Sequence, residues 1–375
     1  MEFEKYRLSQ LLTIKNGRDY KSLGQGSVPV FGSGGYMCSV DSYLYDRPSV
    51  LLPRKGTLSN IQYYNKGPFW TVDTCYYTIV NENLVDSYYV YRYLRNLNLS
   101  GLDTGASIPS MTQKTYNGIK ILLPNLSIQH RIASILSTYD SLIENNTKRI
   151  RLLEKMAENL YKEWFSYGKI IKGGTIVRLT DIIQITRGLS YSTAEIDCEE
   201  GLDLINLKNI QAYGGFRYDG TKKFCGKYKN EQIVCEGDLV MGVTDMTQDR
   251  RTVGSVALIP KTDKLSVISA DLIKISSSIS SVFLFGMFKY GNVSKYVAQF
   301  ANGANVLHLR PKALHNIKVL LPNPNLINKY VDIVSPMVAE MNKLYVLSEK
   351  LARQRDLLLP RLMSGKLEVK EELLE

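Results

Sequence analysis

The sequence predicts an α+β protein: two strand-rich, mixed α/β domains related by an internal pseudo-two-fold, joined by two long helices that pair as an antiparallel coiled coil. Three observations predict it. Residues 127–165 carry an uninterrupted helical stripe, and a second stripe runs from about Leu326 to Leu362. Each stripe follows nearly the same words, Ile119-Lys120-Ile121-Leu122-Leu123-Pro124-Asn125 and Ile317-Lys318-Val319-Leu320-Leu321-Pro322-Asn323. A globular stretch plus a long helix, used twice, is one structural plan repeated.

In the first stripe, apolar or aromatic residues recur at Ile128, Ile132, Ile135, Tyr139, Leu142, Ile150, Leu153, Ala157, Leu160 and Trp164. Most lie three or four apart, the period of one helix face. No Gly or Pro interrupts them. At 1.5 Å per residue the helix is about 55–60 Å long. Such a rod exceeds an average globular helix and needs a partner along its length, which the second stripe supplies. Asn146 falls on the apolar stripe, where a polar residue sets register rather than adding stability.

The first domain covers residues 1–125. Tyr6-Arg7-Leu8-Ser9 opens it, and β-branched or aromatic runs follow from Val28 to Phe31, Ser49 to Leu52, Ile61 to Tyr64 and Val72 to Val80. Turn residues bound them, among them Gly24-Gln25-Gly26, Gly32-Ser33-Gly34-Gly35 and Lys66-Gly67-Pro68. Ser87 to Leu97 reads as a helix with Val90, Tyr93, Leu94 and Leu97 on one side. A loop from Asp103 to Ser110 precedes a strand from Ile119 to Leu122, and the first long helix occupies 126–166.

A glycine-bearing linker covers 167–176, and the second domain covers 177–324. Val177-Arg178-Leu179-Thr180 with Gly188 repeats Tyr6-Arg7-Leu8-Ser9 with Gly17, and Gly303-Ala304-Asn305 repeats Gly105-Ala106-Ser107. The matching segments drift apart along the chain because the second domain carries extra residues in its middle. The second long helix occupies 325–365. Pro336 is expected to kink or break its first third, and Pro360 and Gly365 to close it. Residues 366–375 form an acidic tail, expected to fray.

At 375 residues the chain has room for two or three domains, each burying a core. Its net charge of +11 suits a polyanionic partner without identifying one. The 25 tyrosines suit base and sugar contacts as well as ordinary strands. Cys38, Cys75, Cys198, Cys225 and Cys235 are odd in number and contain no CxxC pair. That pattern speaks against a disulfide framework or zinc ribbon and for a reducing compartment. The N-terminus lacks a signal-peptide pattern and no apolar run is long enough for a bilayer, so the expected location is cytoplasmic, with no membrane partner.

Catalytic constellations fail on inspection. Gly220-Thr221-Lys222-Lys223-Phe224-Cys225-Gly226-Lys227 has one residue too many between its glycines for a phosphate loop, and Tyr228 stands where the magnesium-binding hydroxyl belongs. Glu368-Val369-Lys370 resembles the end of a nuclease motif, but no Pro-Asp pair lies upstream. His130, His308 and His315 have no Cys or His at ligand spacing, so no metal site is expected. The chain is expected to make no bonds itself.

Binding signals are stronger. Lys15, Arg18, Tyr20 and Lys21 surround Gly17, and Arg54, Lys55, Thr57 and Ser59 form a basic, hydroxyl-rich turn. In the second domain Arg187 and Tyr191 flank Gly188, Lys208 lies beyond, and Thr244, Gln248, Arg250 and Arg251 occupy a further turn. Ser107, Asn305 and Arg310 follow the repeated Gly-Ala pair. Arg and Lys read guanine edges and phosphates, Asn and Gln read adenine, and hydroxyls take phosphates. Each of these residues also reads as an ordinary solvated loop group.

Ser127-Ile128-Gln129-His130-Arg131-Ile132-Ala133, Asp140-Ser141-Leu142-Ile143-Glu144-Asn145-Asn146 and Leu160-Tyr161-Lys162-Glu163-Trp164-Phe165 resemble the conserved helix of specificity subunits of Type I restriction-modification systems. Arg355-Asp356-Leu357-Leu358-Leu359-Pro360-Arg361-Leu362-Met363-Ser364-Gly365 resembles their C-terminal signature. Val28-Pro29-Val30-Phe31-Gly32-Ser33-Gly34-Gly35, Pro53-Arg54-Lys55-Gly56-Thr57 and Glu236-Gly237-Asp238-Leu239-Val240 resemble their target-recognition domains. Asn325-Leu326-Ile327-Asn328-Lys329-Tyr330 departs from the usual opening of the second helix.

The resemblance spans essentially the whole chain. It implies a non-catalytic DNA reader whose two domains each read half of a bipartite, asymmetric target in double-stranded DNA. The long helices would set the half-site spacing and dock two modification subunits, with Asp140, Glu144, Asn145, Lys148 and Arg149 on the docking surface. No cofactor is expected in this chain; S-adenosylmethionine, ATP and magnesium would belong to the modification and restriction subunits. The rival readings are a stand-alone methyltransferase or nuclease, and a coiled-coil scaffold.

Overall fold

The computed structural model describes residues 2–97, 99–102, 109–166, 174–196, 198–262 and 264–369. Ser107, most of the predicted linker and the last six residues, 370–375, therefore lie outside the described residues. The chain forms two units, Met1–Asn145 with Ser348–Glu375, and Asn146–Leu347. Each long helix is divided between them, so the units cut across the sequence boundaries at 125 and 324.

The first unit contains β1 (Glu4–Arg7), α1 (Leu8–Leu11), β2 (Leu12–Asn16), β3 (Gln25–Gly32), β4 (Gly35–Val40), β5 (Ser49–Pro53), β6 (Gln62–Tyr64), β7 (Trp70–Thr71), β8 (Cys75–Val80), α2 (Ser87–Asn96), α3 (Gln113–Asn117), β9 (Lys120–Leu123) and the start of α4 (Leu126–Tyr161). β1 pairs antiparallel with β9, a four-stranded sheet has the order β2-β8-β5-β6, and a three-stranded sheet has the order β4-β3-β7. Every residue of β5 is buried, which explains its continuous apolar run. Asp86 caps α2 by accepting from Tyr89 N.

The core of this unit joins Leu8, Leu11, Tyr89, Val90, Leu94, Tyr116 and Ile121 to Ile132 and Leu136 of α4. Leu359 and Leu362, from the end of α8 (Pro324–Met363), complete it. The two long helices thus meet inside one core, and Arg355 donates to Asp140 at 2.6 Å.

The second unit opens with β10 (Thr175–Arg178), α5 (Leu179–Ile182) and β11 (Gln184–Arg187). β10 begins within the predicted linker. Then come β12 (Leu202–Ile205), β13 (Lys222–Phe224), β14 (Ile233–Val234), β15 (Leu239–Gly242), β16 (Thr244–Asp245), β17 (Val256–Leu258), β18 (Ser266–Ile268), β19 (Leu272–Ser276), α6 (Ser281–Lys289), α7 (Val293–Ala298), β20 (Leu307–His308) and β21 (Lys318–Leu321). Two four-stranded sheets, β11-β19-β15-β17 and β13-β12-β18-β14, form its body. Its main core joins Leu239, Met241, Phe283 and Phe288 to Ala157, Tyr161 and Phe165 of the first long segment and to Ile327, Tyr330 and Val334 of α8. Arg149 pairs with Glu340, while Tyr161 meets Tyr330 edge-on at 5.7 Å. Rising numbers on one helix meet falling numbers on the other, so within this unit the pair is antiparallel.

The repeat is structural as well as textual. β10 pairs with β21 as β1 pairs with β9. Leu8 N donates to Ile119 O at 2.8 Å, and Leu179 N donates to Ile317 O at 2.8 Å. A β-carbon at Gly17 would lie 2.1 Å from Val72 O, and one at Gly188 would lie 2.0 Å from Ser269 O. Both glycines are dictated by close backbone approach.

Pro336 does not break α8, which runs unbroken from Pro324 to Met363. The ring sits on the exposed side, where water can pair with the carbonyl that loses its N–H partner. Pro360 likewise lies within the last turn, and Gly365, at φ 72°, turns the chain away. Among the described residues, no helix is long and apolar enough to cross a membrane.

Candidate nucleic-acid interface

In the first unit, the Gly17 approach lets Arg18 N donate to Thr71 O at 2.8 Å, and Trp70 Nε1 closes the turn on Arg18 O at 2.8 Å. The peptide is held while the Arg18 side chain stays exposed, as do Lys15 and Lys21. Tyr20 instead packs half-buried on the Val30, Val40, Trp70 and Val72 cluster.

The Arg54 turn is braced by its backbone. Arg54 N donates to Thr74 O, Gly56 N to Pro109 O and Met111 N to Arg54 O. Gly56, at φ 92°, supplies the left-handed step. Arg54 Nη1 reaches Asp73 O at 3.4 Å, while Lys55, Thr57 and Ser59 are exposed. Sequence reasoning missed the residues that brace the neighbouring β3–β4 turn. Asn60 Nδ2 donates to Ser33 O at 2.6 Å and Gln62 Nε2 to Gly32 O at 2.9 Å. Side-chain amides beside a glycine turn were the available signal, but their partners lie almost thirty residues away.

In the second unit, Arg187 is exposed and Tyr191 packs against the Leu189, Leu204, Phe224 and Val267 cluster. Lys208 is exposed in a separate turn, where its N–H donates to Asn206 Oδ1. Thr244 corrects the turn assignment. It belongs to β16, is buried, and donates to Asp271 Oδ1 at 2.9 Å. The turn begins after it and is organised by Asp245. That carboxylate accepts from Thr247 N at 2.8 Å, Thr252 N at 2.6 Å and Val253 N at 3.3 Å. Burial raises the Asp245 pKa, but the Thr252 and Thr247 hydrogen bonds overcome it and set it at about 2.

Gln248, Arg250 and Arg251 therefore sit exposed on a fixed loop. Gln248 Nε2 donates to Ala304 O at 2.9 Å, and β16 pairs with β20. These contacts bring the loop bearing Asn305 alongside. Arg310 is exposed just past β20. Arg251 pairs with Asp249.

Several helix residues assigned to docking are engaged within their own unit. Asp140 accepts from the Tyr88 hydroxyl at 2.5 Å, from Arg92 and from Arg355. Burial raises its pKa, yet the Tyr88 hydroxyl and the two guanidiniums hold it below the ordinary carboxylate value. Glu144 pairs with Lys66, and Arg149 with Glu340. Asn145 and Lys148 are exposed. Among the described residues, no group of three or more His, Cys, Asp or Glu is placed to hold a metal ion.

Residues 1–155 match the family model described as Type I restriction modification DNA specificity domain. The chain is 25% identical over 266 residues to the Type I restriction enzyme MjaVIII specificity subunit of Methanocaldococcus jannaschii, covering 65% of this chain and 61% of that protein. It is 22% identical over 359 residues to the MjaIX specificity subunit of the same organism, covering 88% and 79%. The first match thus spans under two thirds of that relative's length. Among solved structures, the S subunit of the Type-I restriction-modification system from M. genitalium superposes with a TM-score of 0.68 at 15% identity, over 96% of each chain, and so agrees in fold. A duplicated fold, paired long helices and these matches converge: the chain is similar to the specificity subunits of Type I restriction-modification systems, over residues 1–155 by the family model and over most of its length by the relatives.

Proposed function

We propose that this chain is the DNA-reading subunit of a Type I restriction-modification complex, each recognition fold reading one half of a bipartite, asymmetric target. The observation that carries this is one scaffold bearing two different sets of exposed groups. The Gly17 and Gly188 approaches are the same, yet one fold presents Lys55, Thr57 and Ser59 and the other Gln248, Arg250 and Arg251. Like scaffolds with unlike donors suit unlike half-sites.

The chain supplies recognition and no catalysis. The long helices dock modification subunits, two by the symmetry of the repeat, and Asn145 and Lys148 lie exposed on their surface. Those partners bring S-adenosylmethionine and act on a base turned out of the duplex. Restriction subunits bring ATP and magnesium, and the assembly works on double-stranded DNA in the cytoplasm. Methylome sequencing of cells expressing this chain with a modification subunit tests the reading. A new bipartite motif that disappears when the chain is omitted is expected. Methylation or cleavage by the purified chain alone would overturn it.

A further inference from the structure

We infer that the second recognition fold continues into a phosphate-binding track for duplex DNA, formed by Arg151 and Lys155 of α4, Lys162 just beyond it, Lys289 of α6 and Lys295 of α7. The inference rests on the DNA-reading role and adds contacts that lie outside the base-reading loops and carry no sequence information. These five cations line one open groove of about 690 Å³ together with Tyr213, and all of it lies in the second unit.

Charge decides the class of ligand. Two carboxylates share the groove: Glu154 pairs with Lys289, and Glu158 accepts from Lys155 at 3.0 Å and pairs with Lys162. Five cations against two anions leave a net charge of +3. Arg151 and Lys295 are exposed and make no ion pair among the described residues, so both present their full charge to whatever enters. Arg151 and Lys162 stand about 16 Å apart along the helix, a length over which one DNA strand presents about five phosphates.

The groove adjoins the loop that carries Gln248, Arg250 and Arg251. Tyr213 N donates to Arg251 O at 2.7 Å, and its left-handed backbone, at φ 66°, turns the chain at once into Gly214. A β-carbon at Gly214 would lie 3.3 Å from Lys289 Cδ. Loop and groove are thus one turn of chain apart, and a duplex read at Arg250 and Arg251 brings its backbone to the groove.

The repeat shows that the scaffold does not need these charges. The offset that matches Ile119 with Ile317 also matches the buried Ile132 with Tyr330 and the buried Tyr161 with Leu359. It sets Arg151, Lys155, Glu158 and Lys162 against Glu349, Arg353, Asp356 and Pro360. The buried positions stay apolar, while this face changes from three cations and one carboxylate to one cation and two carboxylates. Packing does not ask for the basic face; a polyanion beside the second recognition fold does.

The test uses the chain in complex with its modification subunit and a duplex carrying the methylome-defined site. Arg151→Gln with Lys295→Gln removes two phosphate contacts. The magnitude of the slope of log affinity against log salt should fall by about 1.8, so the loss of affinity between about 50 and 200 mM salt shrinks about tenfold. The methylated motif should keep both half-sites. Phosphate ethylation should interfere with binding beside the half-site that Arg250→Ala alters, and that interference should vanish in the double variant. Lys350→Gln with Arg353→Gln removes the same charge from the repeated stretch of α8 and should keep the parent slope. A parent slope and ethylation pattern in the Arg151 and Lys295 variant would overturn the track while leaving DNA reading intact, as would an equal fall in the control. Loss of the modification subunit from the variant in sedimentation would assign the groove to that partner and overturn the track as well. Failure of the unaltered complex to retain the duplex would overturn DNA reading itself.

Discussion

Asp140 ties three elements of the first unit together through one carboxylate. The Arg92 side chain is only 4% exposed, so its charge depends on that partner. Replacing Asp140 by Ala leaves a buried guanidinium without its counter-ion. The expected loss is roughly 2–3 kcal/mol, below the cost for a fully buried pair because Asp140 keeps some solvent contact. Urea unfolding checks this. Arg149→Ala, which removes an exposed pair with Glu340, should cost about 0–1 kcal/mol. Asp245 makes a pH prediction. Its folded pKa lies below its ordinary value of 3.8, at about 2. The stabilisation, on the order of 2 kcal/mol, is fully present above the unfolded value and is lost as pH falls through the folded one. Acid titration of unfolding should therefore show a weaker dependence between about pH 4 and pH 2 in Asp245→Asn than in the parent chain.

At the element scale, the Gly17 and Gly188 approaches make the recognition folds sensitive to a single methyl group. Gly17→Ala and Gly188→Ala each drive a β-carbon against a carbonyl and are expected to cost roughly 1–3 kcal/mol, read by thermal unfolding. Gly34, with open space around its α-carbon, is the control and should change little when replaced by Ala. The equal sensitivity of positions 17 and 188 was legible in the sequence, because the repeated words place both after the same strand. Their partners at Val72 and Ser269 were not, because nothing local links residues so far apart. The continuity of α8 escaped sequence reasoning for a related reason. A proline reads as a break until its surroundings are known, and here solvent on one side and a packed core beneath Tyr330 and Val334 keep the helix whole.

For the whole molecule, the half-site spacing is expected to follow helix length. Deleting about seven residues, two turns, from each long helix should change the spacer in the methylated motif and leave both half-sites intact. Methylome sequencing reads this directly, and an altered half-site would refute the idea. The same measurement separates the roles of exposed groups: changes at Lys55 or Arg250 should alter one half-site and spare the other.

The sequence by itself determined the repeat, the two long helices and most strands of the first recognition fold, because periodicity and turn chemistry are local. It also singled out the loops at Arg54 and Arg250, since basic residues beside glycine and hydroxyl groups form a local pattern. Only the tertiary structure decided which of those groups face outward. It buried Thr244 against Asp271, turned Asp140 inward to Arg92 and Arg355, and set Asn60 against Ser33 and Gln248 against Ala304. Each of these outcomes depends on a partner distant in sequence, and the side a residue faces is settled by packing rather than by its own identity.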